Sequence, residues 1–339
     1  MKKQIGIIGM GSMGHLYADA LIQNPNIDFI ACVSISQKNL NNAIDKYYCR
    51  GYKSFYEMFR KEKLDAVLIT LPDHLHKEAV IAAAEAGVHL LVEKPFATDL
   101  KDADIMVQAV QKSGIKCMVE FFNRWSPPFT NAKYLVDQGK LGDIIQFNIE
   151  LNDTCYVPQK MLKWATASSP AWFLMSHSYD LIWWILGKRP KSVFGRGSKR
   201  ILRAMGINTY DLIEVLVSYE NGTIGRFSSN WVLPEGFPIL YELKMRLVGT
   251  NAMVDVDTSD QELHFTDQNC TQHPVTAWGK ILGSYSGHPF AMLNAFLQNL
   301  NEEIPPPVNE IDGWENTYFL DAVHRSVETG REVQLPEKS

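Results

Sequence analysis

Short apolar runs recur through the first third of the chain, at Gln4–Ile8, Phe29–Val33, Ala66–Thr70, His89–Val92 and Lys116–Val119. Between them lie amphipathic stretches with helical spacing: His15–Gln23, Lys38–Tyr47, Tyr56–Arg60, His76–Ala86 and Leu100–Lys112. Apolar runs without interleaved polar residues predict strands buried on both faces. Helices between such strands predict βαβ units and a parallel sheet. Gly87 and Gly114 follow helical stretches, where a left-handed cap is expected.

The rhythm changes near residues 121–123. Phe129–Gln138 and Pro170–Leu186 read as helices. Longer segments with partial alternation follow: Gly142–Leu151, Ser192–Ser198, Leu212–Tyr219, Gly222–Asn230, Glu242–Val248, Ala252–Asp257 and Glu262–Thr266. Strands joined by short turns predict an antiparallel sheet, and Asn221-Gly222 is a hairpin signal. Two more helices are expected at Pro289–Asn301 and Gly313–Thr329, separated by the Pro305-Pro306-Pro307 breaker. The pattern predicts an α/β protein with two domains, 1–122 and 123–339. The first carries a parallel sheet, and the second is α+β with an open antiparallel sheet.

Composition narrows the functional classes. The 339 residues are 46% hydrophobic and 21% charged, as in a globular protein of more than one core. A net charge of −5 without a basic block argues against nucleic acid as a partner. No apolar run reaches the roughly 18 residues of a membrane helix. Five scattered cysteines, with no C-x-x-C pair, support neither a disulfide framework nor a metal site. The expected compartment is the cytoplasm.

Chemistry enters at residues 4–14, Gln-Ile-Gly-Ile-Ile-Gly-Met-Gly-Ser-Met-Gly. Gly9, Gly11 and Gly14 stand in G-x-G-x-x-G spacing, between a buried strand and a helix start. That context makes the motif a dinucleotide-binding fingerprint of the Rossmann kind. Gly9 would make the tight turn, Gly11 would admit a pyrophosphate, and Gly14 would let helix and strand pack closely. After the second strand comes Ser34-Ile35-Ser36-Gln37-Lys38. No acid stands there to grip the ribose hydroxyls of NAD. A Ser can donate to a 2′-phosphate and Lys38 can neutralise it, so NADP is expected, with NAD as the alternative.

Further motifs lie at strand ends and beyond: Leu71-Pro72-Asp73-His74-Leu75-His76, Val92-Glu93-Lys94-Pro95, Phe122-Asn123-Arg124, Ser176-His177-Ser178-Tyr179-Asp180-Leu181 and Leu247-Val248-Gly249-Thr250. With the glycine fingerprint, these make the chain resemble the glucose–fructose oxidoreductase/inositol dehydrogenase (Gfo/Idh/MocA) family over nearly its whole length. The resemblance implies hydride transfer between a nicotinamide cofactor and a hydroxyl-bearing carbon of a sugar, sugar derivative or cyclitol. It also implies a second domain that binds substrate and makes the contacts of a homodimer or homotetramer. The cofactor residues expected are Gly9, Gly11, Ser12, Met13, Gly14, Ser34, Lys38, Leu71, Pro72, His76, Glu93 and Lys94. Lys94 can polarise a substrate oxygen or relay a proton. His177 is the second catalytic candidate, and Asp180, three residues on, can share its helix face. Asp180, Asn123, Trp164 and Tyr156 are the expected substrate contacts.

One departure bears on mechanism. Many family dehydrogenases carry Asp-x-x-x-His, and here the Asp position is Phe173. Lys94 acting alone, Asp180 replacing the missing acid, and binding without turnover all remain open. The competing functions are a non-catalytic NAD(P)-binding sensor and an NAD-dependent glycosidase.

Overall fold

The computed structural model describes residues 2–336. The chain divides into two compact units, Met1–Phe121 with Lys280–Thr317, and Phe122–Gly279 with Tyr318–Ser339.

In the first unit, strands and helices alternate: β1 (Lys3–Ile8), α1 (Ser12–Leu21), β2 (Ile27–Val33), α2 (Gln37–Tyr47), β3 (Arg50–Tyr52), α3 (Phe55–Lys61), β4 (Ala66–Ile69), α4 (His76–Glu85), β5 (His89–Val92), α5 (Leu100–Ser113) and β6 (Cys117–Val119). The six strands form one sheet in the order β3-β2-β1-β4-β5-β6, and every neighbour pair is parallel. Strands β1, β4 and β5 are apolar because helices cover both faces, and Ile5, Ile7, Ile8, Val67, Leu68 and Leu90 are fully buried. The edge strand β3 was not anticipated. Its three residues, with only Tyr52 buried, are too short to show a period.

The residues from 280 to 317 pack with this unit, although the sequence pattern placed everything after 122 in the second domain. Helix His288–Asn299 buries Phe290, Met292, Leu293, Phe296 and Leu297. Val119 N–H donates to Val308 O at 3.0 Å, and Met118 bridges Asn309 in antiparallel sense. The outer edge of β6 is thereby covered. The Lys116 ammonium donates to the carbonyls of Asn299 and Glu302. Trp314 Nε1 donates to Asp104 on α5 at 2.7 Å.

The second unit contains α6 (Pro127–Asp137), β7 (Ile144–Thr154), α7 (Ser176–Leu186), β8 (Ser192–Ser198), β9 (Leu212–Ser218), β10 (Ile224–Leu233), β11 (Tyr241–Gly249) and β12 (Met253–Asp257). Its sheet runs β12-β11-β7-β10-β9-β8, with the terminal strand Val333–Gln334 against β8. Neighbours are antiparallel except β7 and β10, which are parallel with Ile224 opposite Gln146. The expected antiparallel sheet is therefore mixed at one pair. The β9–β10 hairpin lies on one side of β7 and β11 on the other. The turn is where Asn221-Gly222 placed it: Gly222 has φ +85°, and Tyr219 N–H donates to Thr223 O at 3.0 Å.

One face of this sheet buries Phe147, Ile149, Leu151, Ile213, Val215, Phe227 and Met245 with Leu181 and Ile182 of α7 in a single core. The other face exposes Ile145, Leu216, Ile224 and Met253 among ion pairs such as Arg246–Asp255 at 2.8 Å. Residues Ala171–Met175 form a π turn that runs directly into α7. Of the segment expected as a strand at Glu262–Thr266, only Phe265–Thr266 pairs, with Thr271–Gln272.

Candidate active site

The first unit brings the predicted cofactor residues to the C-terminal ends of β1, β2, β4 and β5. Gly9 has φ +106°, and a Cβ on it would meet Thr70 O at 2.5 Å. A Cβ on Gly14 would meet Gly9 O at 2.1 Å, so the helix closes tightly on the turn. A Cβ on Gly11 would meet nothing within 4 Å. Gly11 is also the N-cap of α1 and offers no side-chain cap. The first N–H groups of α1, at Ser12 and Met13, thus border open space at the positive end of a helix. This cradle fits a dinucleotide pyrophosphate.

Ser34 is buried at the end of β2, its N–H donating to Tyr52 O at 3.1 Å. Ser36, two residues on, caps α2 by accepting from Asn39 N–H at 3.3 Å. Lys38 stands exposed in the first turn of that helix.

The loops after β4 and β5 are tied by His76. Its ring is buried, with Nδ1 2.9 Å from Pro95 O and Nε2 2.9 Å from Leu71 O. Burial lowers its pKa, while Asp73 and the carbonyl acceptors pull the other way. Pro72 and Leu71 lead into this turn, and Lys94-Pro95 is a cis peptide. Glu93 and Lys94 are both buried at the end of β5. Glu120, at the end of β6, is 1% exposed and accepts from Tyr17 OH of α1 at 2.6 Å. Burial pushes the Glu93 carboxyl up to about 7 and raises Glu120 well above its usual range. Neither Glu120 nor Tyr17 stood out in the sequence. Glu120 stands just past the apolar run Lys116–Val119, and its partner Tyr17 is 103 positions away along the chain.

In the second unit, His177 and Asp180 both lie on the buried side of α7. The Phe122 ring packs 5.2 Å from the His177 ring. Asp180 takes a bidentate ion pair from Arg124, with Nη2–Oδ1 at 2.6 Å and Nε–Oδ2 at 3.0 Å. That guanidinium occupies the carboxylate expected to orient His177 or to bind a hydroxyl. In the sequence Arg124 is only part of a motif, and its separation of 56 positions from Asp180 hides the pair. Asn123 is buried in the 3₁₀ turn Phe122–Trp125.

Phe173 has joined the core, its ring 5.9 Å from Trp164 and 6.1 Å from Trp231. Trp164 is half-buried, whereas Tyr156 is exposed with Lys160 over its ring at 5.5 Å. Trp172 and Trp231 serve packing: Trp172 stacks on His324 at 4.6 Å, and Trp231 Nε1 donates to Tyr210 O.

Among the described residues one cluster brings metal-ligating atoms within 4.8 Å of one another, Asp260 with His264 and His273. Its two rings stack 4.3 Å apart at 25°, so their in-plane lone pairs run side by side rather than converging. No helix among the described residues is long and apolar enough to cross a membrane.

Comparison with known proteins agrees with this geometry. Residues 3–121 match the oxidoreductase family with an NAD-binding Rossmann fold, and residues 129–255 match the GFO/IDH/MocA C-terminal domain. The myo-inositol 2-dehydrogenase of Thermotoga maritima is 25% identical over 98% of this chain and 99% of its own. The scyllo-inositol 2-dehydrogenase (NAD(+)) of Bacillus subtilis is 25% identical over 98% and 96%. Among solved structures, myo-inositol 2-dehydrogenase from Lactobacillus plantarum superposes with a TM-score of 0.87, at 20% identity over 99% of this chain and 100% of that one. Scyllo-inositol dehydrogenase from Lactobacillus casei, with bound NAD(H) and scyllo-inositol, gives 0.84 at 22% identity over 98% and 99%. The chain belongs to the Gfo/Idh/MocA family of oxidoreductases.

Proposed function

We propose that the protein is a nicotinamide-dependent dehydrogenase that oxidises a hydroxyl-bearing carbon of a cyclitol, with sugars and sugar derivatives as the wider substrate class. The observation that carries this reading is Lys94, buried at the end of β5 on a sheet whose β1–α1 turn fits a pyrophosphate. The cofactor, when bound, accepts or gives the hydride. Gly9, Gly11, Ser12, Met13 and Gly14 hold its phosphates, while Ser34 and Lys38 receive the adenosine ribose. Leu71, Pro72, His76 and Glu93 shape the remaining wall. Lys94 holds or moves the proton at the substrate oxygen. His177, Asn123, Trp164 and Tyr156 are assigned to the polyol, and Asp180 acts on it through Arg124. The relatives named for inositol support the cyclitol assignment.

A spectrophotometric screen of myo-inositol, scyllo-inositol and aldoses with both cofactors tests this directly. Turnover of an inositol isomer is the expected result. Cofactor binding without turnover on any polyol would instead favour a ligand sensor, the reading that Phe173 in place of the carboxylate supports.

Ser34 and Lys38 favour NADP(H) over NAD(H). Ser34→Asp should reverse that preference by one to two orders of magnitude, about 1–3 kcal/mol, through repulsion and a lost donor. Titration of both cofactors decides it, and a wild-type preference for NAD would remove the argument. The exposed sheet face of the second unit is our assigned surface for a homodimer or homotetramer. The five free thiols fit a reducing cytoplasm.

A further inference from the structure

We infer that Thr70 is a positioning residue of the phosphate turn: its hydroxyl holds the Gly9 carbonyl and so fixes the peptide that begins the cofactor cradle. This rests on the reading that a nicotinamide dinucleotide sits on that turn. Thr70 is half-buried at the position that follows β4. Its Oγ1 donates to Gly9 O at 2.5 Å. The other carbonyl near it, Ile8 O, is 3.4 Å from Oγ1 and takes the backbone N–H of Thr70 at 2.8 Å instead. A hydroxyl has one hydrogen to give, so Gly9 O is its acceptor.

Gly9 needs such an anchor. Its φ of +106° suits a glycine, but a residue without Cβ does not hold itself there. The two neighbouring strands hold it. Gly9 N–H donates to Val33 O, at the end of β2, at 2.9 Å. Gly9 O is held from the β4 side by Thr70. The third glycine leaves room for this bond, because a Cβ on Gly14 would lie 2.1 Å from Gly9 O and 3.1 Å from Thr70 Oγ1. The Gly9–Met10 peptide is trans, so a carbonyl turned toward Thr70 turns the Met10 N–H away from β4. Without the hydroxyl that peptide is free to rotate. A carbonyl swung to the open side at Gly11 would meet a pyrophosphate with like partial charge. Thr70 acts on the cofactor only through Gly9.

Titration of the full-length protein with NADH and NADPH, read by their own fluorescence, tests this without turnover. Thr70→Val keeps the shape and deletes the donor. It should weaken both dinucleotides by about three- to tenfold, the worth of one net hydrogen bond. Thr70→Ser keeps the donor and loses the methyl, and should bind as the wild type does. Tm without cofactor, measured on both variants, reads lost packing apart from lost affinity, and affinity should follow the hydroxyl whichever variant melts lower. Should Thr70→Val fail to fold, Thr70→Cys takes its place, with a far weaker donor. Wild-type affinity in Thr70→Val, or a loss in Thr70→Ser as large as in Thr70→Val, overturns the inference and leaves the cofactor reading standing. A wild type that binds neither dinucleotide overturns both. Binding weakened in Thr70→Val and kept in Thr70→Ser, in a protein that turns over no polyol, keeps the role of Thr70 and loses the dehydrogenase reading.

Discussion

An ammonium buried at a strand end is costly unless its neighbours compensate, and Lys94 is buried beside Glu93. If Lys94 handles the proton, Lys94→Ala should lower kcat by a factor on the order of 10² to 10⁴. Lys94→Arg should not restore it, because a guanidinium stays protonated. His177→Ala should cost about tenfold if the ring only binds a hydroxyl, a net hydrogen bond of about 1 kcal/mol. Steady-state kinetics on the three variants rank the roles, and a larger loss at His177 would make it the base instead. Asp180 illustrates how far residue-level reading reaches. That Asp180 shares a helix face with His177 is legible from spacing, whereas its burial is not. Nor is its partner, because Arg124 arrives from another element. Breaking that pair with Asp180→Asn leaves a buried guanidinium without its full counter-charge and should destabilise the second unit by about 3–5 kcal/mol. Chemical denaturation measures this.

Elements were the most legible level where the period is unbroken. The parallel strands and their helices match the apolar pattern, because burial on both faces writes a continuous signal. The signal failed at β3, which is too short, and at the β7–β10 pair, because strand direction leaves no trace in alternation. The glycine turn offers a clean test of element-level reasoning. Gly9→Ala puts a Cβ 2.5 Å from Thr70 O at a positive φ, so it should lower Tm and cofactor affinity together. Gly11→Ala meets nothing in the protein, so Tm without cofactor should hold while cofactor affinity falls. Thermal melts with and without cofactor separate the two. Equal losses of Tm would mean that the space at Gly11 is not the phosphate cradle.

At the level of the whole molecule, opposite proton linkages act on stability. The buried glutamate pair keeps a proton that the unfolded chain loses above about pH 4.5, so its contribution falls as pH rises. Glu120→Gln should therefore gain on the wild type above that pH, by up to about 1.4 kcal/mol per pH unit. His288 runs the other way. Burial holds its pKa at about 4, against 6.5 for a free ring, so it destabilises the fold as pH falls through that interval. His288→Leu should flatten the acid side, and Tm against pH for both variants checks the signs. The covered edge of β6 bears on assembly in time. The segment that seals it, 280–317, lies more than 150 residues downstream of the strand. A ribosome emits the dinucleotide-binding half first, yet that half waits, with one sheet edge bare, until nearly the whole chain has been made. The intervening residues 122–279 wait as well, because their core takes Phe319, Leu320 and Val323 and their sheet takes Val333–Gln334 from the far end of the chain. Both units should thus be completed only at the end of synthesis, with the early portion dependent on chaperones until then.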